Sequence, residues 1–305
     1  MRVVFMGTPF FAVPSLQKLA AEHEVVLVLT RPDAVRGRGK KLDPSPVKAA
    51  ALELGLPVLE TSRMTPEALD ALRAAEADVF CVAAYGCILP DEVLAMAPLG
   101  CVNVHASLLP RWRGAAPIQR SILAGDESTG VSIMRIGHGV DTGDYCAQAS
   151  CTVAGKTADE LTAELARLGA DLLVEVLPSL ADGSVNWTVQ DEGLVTHAAK
   201  IIKSEMMLDP ASTVAENLSR VLASSNAAPA RCVVAGKPVR VLEAVASPDR
   251  VALGAYEVVS KRVVLGCADG AIELGVVKPD GKREMEAAAW SAGLRERSGA
   301  WELLS

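Results

Sequence analysis

The sequence predicts an α/β domain with a mostly parallel sheet, followed by a small antiparallel β domain, and three observations predict this fold. Over the first 140 residues, short apolar runs alternate with helical patterns, as the crossover connections of a parallel sheet require. From about residue 208, short valine-rich runs are separated by glycine, proline and aspartate turns. The 305 residues, half of them hydrophobic, can bury enough core for two domains.

Four apolar runs in the first part predict strands buried on both faces, at residues 3–6, 25–29, 78–84 and 101–105. Between them, helical patterns cover residues 9–21, 45–54, 65–75 and 91–96. In a sheet of this kind, ligands bind beyond the carboxyl ends of the strands. Polar residues that follow these strands are therefore candidates for a site.

A long helix follows the alternating strands and helices of the first part. Apolar residues recur every three or four positions over residues 157–182, which predicts one amphipathic helix. A short helical stretch is expected around 196–204, a helix at 214–223, and strands at 232–234, 239–242, 263–266 and 271–276. We therefore predict a first domain at residues 1–190, a linker at 191–207 and a small β-barrel domain at 208–305.

Composition excludes several classes of protein. Charged residues, glycine or proline interrupt every apolar run within about a dozen residues, short of the roughly 20 that span a bilayer. The N-terminus has the pattern of a first strand rather than a signal peptide, which predicts a cytoplasmic protein. The seven cysteines form no C-x-x-C pair and no histidine lies at metal spacing, so reduced, buried thiols and no metal are expected.

Charge is distributed unevenly along the chain. The net charge is −7, with 18 basic against 25 acidic residues over 1–205 and 12 against 12 over 206–305. Residues 31–48 nevertheless contain six basic and two acidic side chains. Four of the cations, Arg36, Arg38, Lys40 and Lys41, lie within six glycine-containing residues. Such a segment attracts phosphates, although a charge run is also typical of a solvated face.

The run at residues 101–105 ends in two polar residues. Asn103 and His105 are two positions apart, so their side chains leave the same face of a strand. This is where α/β folds bind ligands. A histidine that only caps the strand through its own hydrogen bonds is an equally good reading.

A second candidate is the glycine-rich segment Gly137-His138-Gly139-Val140-Asp141-Thr142-Gly143-Asp144. Its glycines permit sharp turns and close approach to a ligand, and its two carboxylates could bind an amine, a base or a metal. An Asx-type turn between strands explains the same residues without a ligand. By contrast, Gly7-Thr8-Pro9-Phe10 lacks the G-x-G-x-x-G pattern, which disfavours NAD binding.

Five motifs, in this order, resemble those of the methionyl-tRNA formyltransferase family, and the resemblance extends over nearly the whole chain. They are Gly7-Thr8-Pro9-Phe10-Phe11-Ala12; Gly37-Arg38-Gly39-Lys40-Lys41 with Pro44-Ser45-Pro46-Val47-Lys48; Ala84-Tyr85-Gly86 with Ile88-Leu89-Pro90; the run from Asn103 to Gln119; and Asp141-Thr142-Gly143-Asp144. The C-terminal part departs from the family's Asn-Pro-Trp-Pro stretch, because it reads Asn226-Ala227-Ala228-Pro229.

The resemblance implies a Rossmann-like formyltransferase domain followed by a C-terminal OB-like β-barrel that binds tRNA. It also implies a cytoplasmic, monomeric transferase of translation initiation that passes the formyl group of 10-formyltetrahydrofolate to methionyl initiator tRNA. By the same resemblance, Asn103, His105 and Asp141 are catalytic. The folate would contact Cys87, Ile88, Leu89, Ser107, Leu108, Leu109, Pro110, Gly139, Val140, Asp141 and Asp144, and the tRNA would contact Arg36, Arg38, Lys40 and Lys41.

The implied chemistry suits these residue types. When a neutral amine attacks a formyl carbon, negative charge develops on the formyl oxygen, and an amide and an imidazole can donate hydrogen bonds to it. Asp141 could orient His105 or accept the amine's proton. The nearest rival is a folate-dependent formyltransferase that acts on an amino-sugar nucleotide or a purine precursor. A hydrolase that releases formate and a non-catalytic RNA-binding module are further alternatives.

Overall fold

The computed structural model describes residues 1–35 and 42–304, and their contacts divide the chain into two compact units. The first unit comprises Met1–Pro117, Ser128–Thr152 and Thr162–Ala198, and the second comprises Ile118–Glu127, Val153–Leu161 and Ala199–Ser305. Residues 191–198, the first eight of the expected linker 191–207, fall in the first unit. The domain bounds 1–190 and 208–305 stay a prediction.

The first unit is built on a seven-stranded sheet. The strands of this unit are β1 (Arg2–Gly7), β2 (Glu24–Thr30), β3 (Ala34–Val35), β4 (Leu42–Asp43), β5 (Val58–Glu60), β6 (Val79–Ala83), β7 (Cys101–His105), β8 (Arg113–Gly114), β9 (Ser128–Arg135), β10 (Tyr145–Thr152) and β11 (His197–Ala198). The main sheet has the order β10-β9-β7-β6-β1-β2-β5. Its five strands from β7 to β5 pair in parallel, whereas β9 and β10 pair antiparallel at one edge. The predicted, mostly parallel sheet is confirmed.

The five helices predicted in this part of the chain are present, although the first begins at Val13 rather than at residue 9, and a sixth helix, at Pro117–Leu123, was not predicted. They are α1 (Val13–Glu22), α2 (Pro46–Glu53), α3 (Pro66–Ala74), α4 (Asp91–Leu94), α5 (Pro117–Leu123) and α6 (Ala158–Ala181). The Ser45 hydroxyl accepts a hydrogen bond from the Lys48 amide at the start of α2, and Thr65 caps α3 in the same way. Each cap is followed by a proline at the first helical position, which the helix tolerates because no amide donor is needed there.

The glycine at the end of β1 has a packing role. A Cβ on Gly7 would lie 2.7 Å from the Ala12 Cβ and 3.0 Å from the Ala83 carbonyl oxygen. The chain then makes a short 3-10 turn, Phe10–Ala12, with Pro9 at its N-cap before α1 begins. Gly7 therefore allows close packing of the first turn on the sheet.

Two further differences between the sequence predictions and the structure involve strand pairing. β9 and β10 were not predicted as strands, and they form the antiparallel edge of the main sheet. The helical stretch expected at 196–204 is wrong: His197–Ala198 pairs with Arg113–Gly114 as a strand, and only Lys203–Met206 forms a 3-10 turn. Backbone pairing with a distant segment overrides the local pattern in both places.

The second unit contains a curled antiparallel sheet, as predicted. Its elements are α7 (Val214–Leu222), β12 (Arg231–Val234), β13 (Lys237–Val241), β14 (Ala244–Ser247), β15 (Ala255–Val259), β16 (Arg262–Gly266), β17 (Ala271–Leu274), β18 (Val276–Pro279), β19 (Met285–Glu286), α8 (Ala287–Ser291) and β20 (Ser298–Glu302). The strands follow the order β14-β17-β16-β15-β20-β12-β13-β18-β19. They enclose an apolar core that includes Tyr256 and Trp301. Among the described residues, no helix is long and apolar enough to cross a bilayer.

Candidate active site

Strand β7 carries the two polar residues that the sequence singles out. It lies inside the sheet between β6 and β9, with Asn103 opposite Met134 and His105 opposite Ser132. The Asn103 side chain is partly exposed, and within the described part of the chain its amide has no hydrogen-bond partner. His105 is buried, with 5% of its surface exposed. The strand therefore carries one partly exposed side-chain amide, that of Asn103, and one buried imidazole, that of His105.

The His105 ring is held by a backbone group. Its Nε2 lies 3.0 Å from the Trp112 carbonyl oxygen. A carbonyl oxygen can only accept, so Nε2 carries a proton and donates it. The other ring nitrogen, Nδ1, lies 3.5 Å from Oδ2 of Asp141, which is longer than an ordinary hydrogen bond. Nδ1 is thus the ring atom that faces the carboxylate.

Asp141 lies in a tight loop between β9 and β10. Its φ of +54° is in the left-handed region, which a residue with a side chain adopts at a cost. Its Oδ2 accepts a hydrogen bond from the Gly114 amide at 2.9 Å. A Cβ on Gly143 would collide with the Arg135 carbonyl oxygen, so the glycine is needed where the loop touches β9. The structure brings Asp141 to His105 across 36 residues of sequence.

The segment after β7 is held from within the protein. Ser107 and Leu109 are buried, and the Ser107 hydroxyl donates to the Arg111 carbonyl at 2.6 Å. Ser132 of β9 joins the two residues: its hydroxyl donates to the Ser107 carbonyl at 2.7 Å and accepts from the Leu109 amide at 3.0 Å. Leu108 and Pro110 are half-buried. The side chains of Ser107 and Leu109 therefore shape this segment, and Leu108 and Pro110 retain some exposed surface.

Two loops carry the remaining predicted folate residues. Cys87 and Leu89 follow β6 and pack against one apolar cluster together with Ile136. In contrast, Ile88 is 91% exposed, and Val140 in the Asp141 loop is 74% exposed. The loops approach each other, because Nδ1 of His138 lies 3.1 Å from Oδ1 of Asp91. Exposed apolar side chains on adjacent loops are typical of a surface that a ligand covers. The other two predicted contacts, Gly139 and Asp144, lie in the Asp141 loop.

The predicted tRNA-binding residues Arg36, Arg38, Lys40 and Lys41 lie outside the described residues. Lys48, which belongs to the same basic stretch, is described and is not available as a free cation. Its ammonium group donates to Asp33 at 2.8 Å and to Glu60 at 2.6 Å. These hydrogen bonds raise the pKa of Lys48. Lys48 therefore forms ion pairs that connect the start of α2 to Asp33 and Glu60.

The structure also bears on metal binding and on the state of the cysteines. No group of three or more histidine, cysteine or acidic side chains suited to a metal ion occurs in residues 1–35 and 42–304. None of the seven cysteines forms a disulfide. Burial raises the pKa of the Cys146 thiol to about 11 and those of Cys101 and Cys232 to about 12, so these thiols remain protonated near neutral pH.

Several groups around the Asp141 loop were not predicted from the sequence. They include the Trp112 carbonyl and the Gly114 amide, which bind His105 and Asp141. They also include Gln190, whose amide donates to two carbonyl oxygens of the loop. Backbone groups leave no trace in a side-chain pattern, and a lone glutamine in a loop gives no periodic signal.

Family models match both parts of the chain. The model described as formyl transferase matches residues 1–177, and the model described as formyl transferase, C-terminal domain, matches residues 200–295. A methionyl-tRNA formyltransferase of Methylococcus capsulatus is 46% identical over 294 residues, covering 94% of this chain and 95% of the relative. A methionyl-tRNA formyltransferase of Thiobacillus denitrificans is 47% identical over 301 residues, covering 96% of each chain.

The fold also recurs among solved structures. HypX from Aquifex aeolicus, in complex with tetrahydrofolic acid, superposes with a TM-score of 0.67 at 18% identity. The alignment covers 95% of this chain and 46% of HypX. At this identity the likeness concerns the fold alone.

Proposed function

We propose that Asn103, His105 and Asp141 perform formyl transfer in this chain, which belongs to the methionyl-tRNA formyltransferase family. The chain transfers a formyl group from a folate donor to methionyl-tRNA. We assign 10-formyltetrahydrofolate as the donor and the initiator tRNA as the acceptor. The observation that carries the assignment of residues is the approach of the Asp141 carboxylate to the buried His105 ring, 3.5 Å from Nδ1.

Asn103 and His105 would stabilise the charge that develops on the formyl oxygen. The Asn103 amide is partly exposed and has no partner among the described residues, so its protons remain available to donate. Since Nε2 of His105 already donates to the Trp112 carbonyl, only Nδ1 can serve the substrate. Nδ1 would face the formyl oxygen, and the Asp141 carboxylate, 3.5 Å from Nδ1, would orient the ring. A hydrogen-bond donor to that oxygen contributes about 10²- to 10³-fold to the rate.

Asp141 has a second role in the proposal. One carboxylate oxygen, Oδ2, accepts from the Gly114 amide and faces His105, so the other oxygen can accept the proton that the attacking amine loses. Transfer through a positioned carboxylate of this kind contributes about 10²- to 10⁴-fold. No covalent intermediate on the enzyme is needed, because the amine attacks the formyl carbon directly.

We assign folate binding to the two loops beside this pair and to the segment after β7. The assigned residues are Cys87, Ile88, Leu89, Ser107, Leu108, Leu109, Pro110, Gly139, Val140, Asp141 and Asp144. The exposed apolar side chains Ile88 and Val140 support this assignment. Backbone groups near them could bind a flat heterocycle, which needs apolar contact on its faces and hydrogen bonds at its edge.

We assign tRNA binding to Arg36, Arg38, Lys40 and Lys41. Their four charges within six residues suit phosphate attraction. Because methionyl-tRNA is consumed by ribosomes, we propose a cytoplasmic location, and we propose that the chain acts as a monomer. The rival acceptor, an amino-sugar nucleotide, is not favoured by relatives that are methionyl-tRNA formyltransferases along nearly their full length.

Replacement of Asp141 by Asn tests the proposal. The substitution keeps the size of the side chain but removes its charge and its capacity to accept the amine's proton. We expect the rate of formyl transfer to fall at least about 10²-fold. Folate affinity, measured by fluorescence titration, should change much less than the rate, by less than about tenfold. A near-full rate in the Asp141→Asn variant, with normal folate binding, would remove Asp141 from the mechanism.

A further inference from the structure

We infer that Gln190 is the positioning residue for Asp141, holding the loop in the conformation that turns the carboxylate to His105. This inference rests on the proposed catalytic role of Asp141. Gln190 lies on the segment before β11 and is 4% exposed. Its amide nitrogen, Nε2, donates to the Asp141 carbonyl at 2.9 Å and to the Gly143 carbonyl at 2.6 Å.

The orientation of the Gln190 amide follows from its other partner. Oε1 of Gln190 lies 2.8 Å from Nε of Arg113. An arginine Nε can only donate, so the group that faces it must be the amide oxygen. Both Nε2 protons are then directed at the two loop carbonyls. Both the oxygen and the nitrogen of the buried amide therefore have hydrogen-bond partners, as buried polar groups in proteins generally do.

Arg113 is itself held in place. It is 5% exposed, and its two terminal nitrogens bind the Glu192 carboxylate at 3.3 Å and 2.8 Å. Its backbone amide donates to the Thr196 carbonyl at 2.9 Å, next to the pairing of β8 with β11. A buried guanidinium therefore binds the oxygen end of Gln190, and strand pairing fixes the backbone of Arg113.

The Asp141 loop needs such a support. Asp141 has a φ of +54°, a conformation that persists only where the surroundings impose it. Gln190 binds the carbonyl of this residue and the carbonyl two residues further along. The Asp141 carboxylate is bound separately, by the Gly114 amide of β8. The Asp141 loop thus depends on Arg113 through Gln190, and the Asp141 carboxylate depends on Gly114. These two residues are neighbours in β8.

Two variants of Gln190 test this inference. Gln190→Leu removes all three hydrogen bonds. Gln190→Glu keeps the side-chain size and the acceptor for Arg113, but it replaces the donating nitrogen by an oxygen that cannot donate to the two carbonyls. Because a displacement of about 1 Å at a reacting group costs up to about 10²-fold, we expect kcat to fall about 10- to 100-fold in both variants. KM for methionyl-tRNA should stay within about threefold.

Glu192→Gln is the matched control. Glu192 binds the same arginine, but its side chain is 78% exposed, and a glutamine at this position keeps an amide oxygen that can accept from Arg113. The hydrogen bonds to the Asp141 loop come from Gln190. We expect kcat of this variant to stay within about twofold of the unaltered protein. Thermal unfolding of all variants shows whether each is folded at the assay temperature.

The double variant Asp141→Asn with Gln190→Glu separates positioning from general support of the fold. If Gln190 acts through Asp141, the double variant will be about as slow as Asp141→Asn alone, because residues that act as one unit are non-additive. The inference is overturned if both folded Gln190 variants keep the full rate, or if Gln190→Glu slows the Asp141→Asn background by its full factor. A full rate in Asp141→Asn itself would instead overturn the proposed function.

Discussion

Buried polar groups are arranged differently in the two units of the chain. In the first unit, His105, Ser107, Arg113, Ser132 and Gln190 are all buried, and their hydrogen bonds connect β7, β8, β9 and the Asp141 loop. In the second unit, the core around Tyr256 and Trp301 is apolar. Polar atoms of its aromatic side chains form hydrogen bonds with backbone groups: Nε1 of Trp301 donates to the Gly266 carbonyl at 2.8 Å.

The buried polar side chains of the first unit form part of a candidate site, whereas the apolar core of the second unit serves packing. Burying polar side chains costs free energy unless each finds a partner, so a connected set of them is kept where their positions matter. An apolar β core needs only apolar contacts, together with a hydrogen-bond partner for each of the few polar atoms that its side chains carry. We expect substitutions in the first set to change rates more than stability, and substitutions in the second core to do the reverse.

The largest effect is expected at His105. His105→Ala removes the ring that faces Asp141, and the transfer rate should fall about 10²- to 10³-fold. Single-turnover transfer of labelled formyl to methionyl-tRNA measures it. The control is His23→Ala, because His23 lies at the C-terminal end of α1, and it should keep nearly the full rate. Equal losses in both variants would contradict the contrast between the site and its scaffold.

The next effect concerns the second core. Trp301 is 1% exposed, so Trp301→Ala should lower the free energy of unfolding by about 3–5 kcal/mol, measured in urea. Leu303→Ala, at a residue that is about half exposed, should change it by less than about 0.5 kcal/mol. At a temperature where the Trp301→Ala variant is folded, its affinity for formyl-folate should be unchanged. A loss of folate affinity without a loss of stability would show that this core serves more than packing.

An effect of intermediate size is expected in the basic segment. Arg38→Leu should raise KM for methionyl-tRNA about tenfold, since it removes one charge of a cluster that attracts phosphates, and it should leave folate binding intact. Lys282→Leu is the matched change in the second unit, at an exposed turn residue between β18 and β19. Steady-state kinetics over a range of tRNA concentrations compare the two. Equal increases in KM would show that the basic segment holds no special share of the tRNA contacts.

The smallest effect is a dependence of stability on pH. Hydrogen bonds from Arg120, which donates to the Glu205 carboxylate at 2.8 Å, lower the pKa of Glu205. A carboxyl whose pKa is lower in the folded state stabilises the protein above its unfolded pKa, about 4.3. This contribution is lost as the pH falls through the folded pKa.

The corresponding variant is Glu205→Gln. For a partly exposed pair of this kind, we expect it to cost about 0.5–1 kcal/mol of unfolding free energy at pH 7. The difference from the unaltered protein should vanish in acid, and denaturation in urea at both pH values measures it. A difference that is the same at pH 7 and in acid would contradict a role for the Glu205 charge.

Much of the fold could be predicted because the parallel strands and their helices leave local signals. The apolar runs at 3–6 and 101–105 and the caps Ser45 and Thr65 mark their elements within the sequence itself. β9 and β10 are stabilised by pairing with each other and with β7. Such non-local pairing gives a weak pattern, and the same is true of β11, which pairs with β8.

The candidate site divides in the same way. Asn103 and His105 could be predicted from alternation on one strand, and Asp141 from a glycine-rich loop with a family resemblance. The approach of Asp141 to His105 depends on the turn that places residue 141 in a left-handed conformation. Gln190 lies 49 residues further along the chain, and its role appears only when the hydrogen bonds are known.

Transfer of labelled formyl from 10-formyltetrahydrofolate tests whether this chain formylates methionyl initiator tRNA. The acceptors to compare are methionyl initiator tRNA, methionyl elongator tRNA, an amino-sugar nucleotide and no acceptor. We expect rapid labelling of the initiator tRNA alone. Labelling of the sugar, release of formate without an acceptor, or no turnover with any acceptor would contradict it.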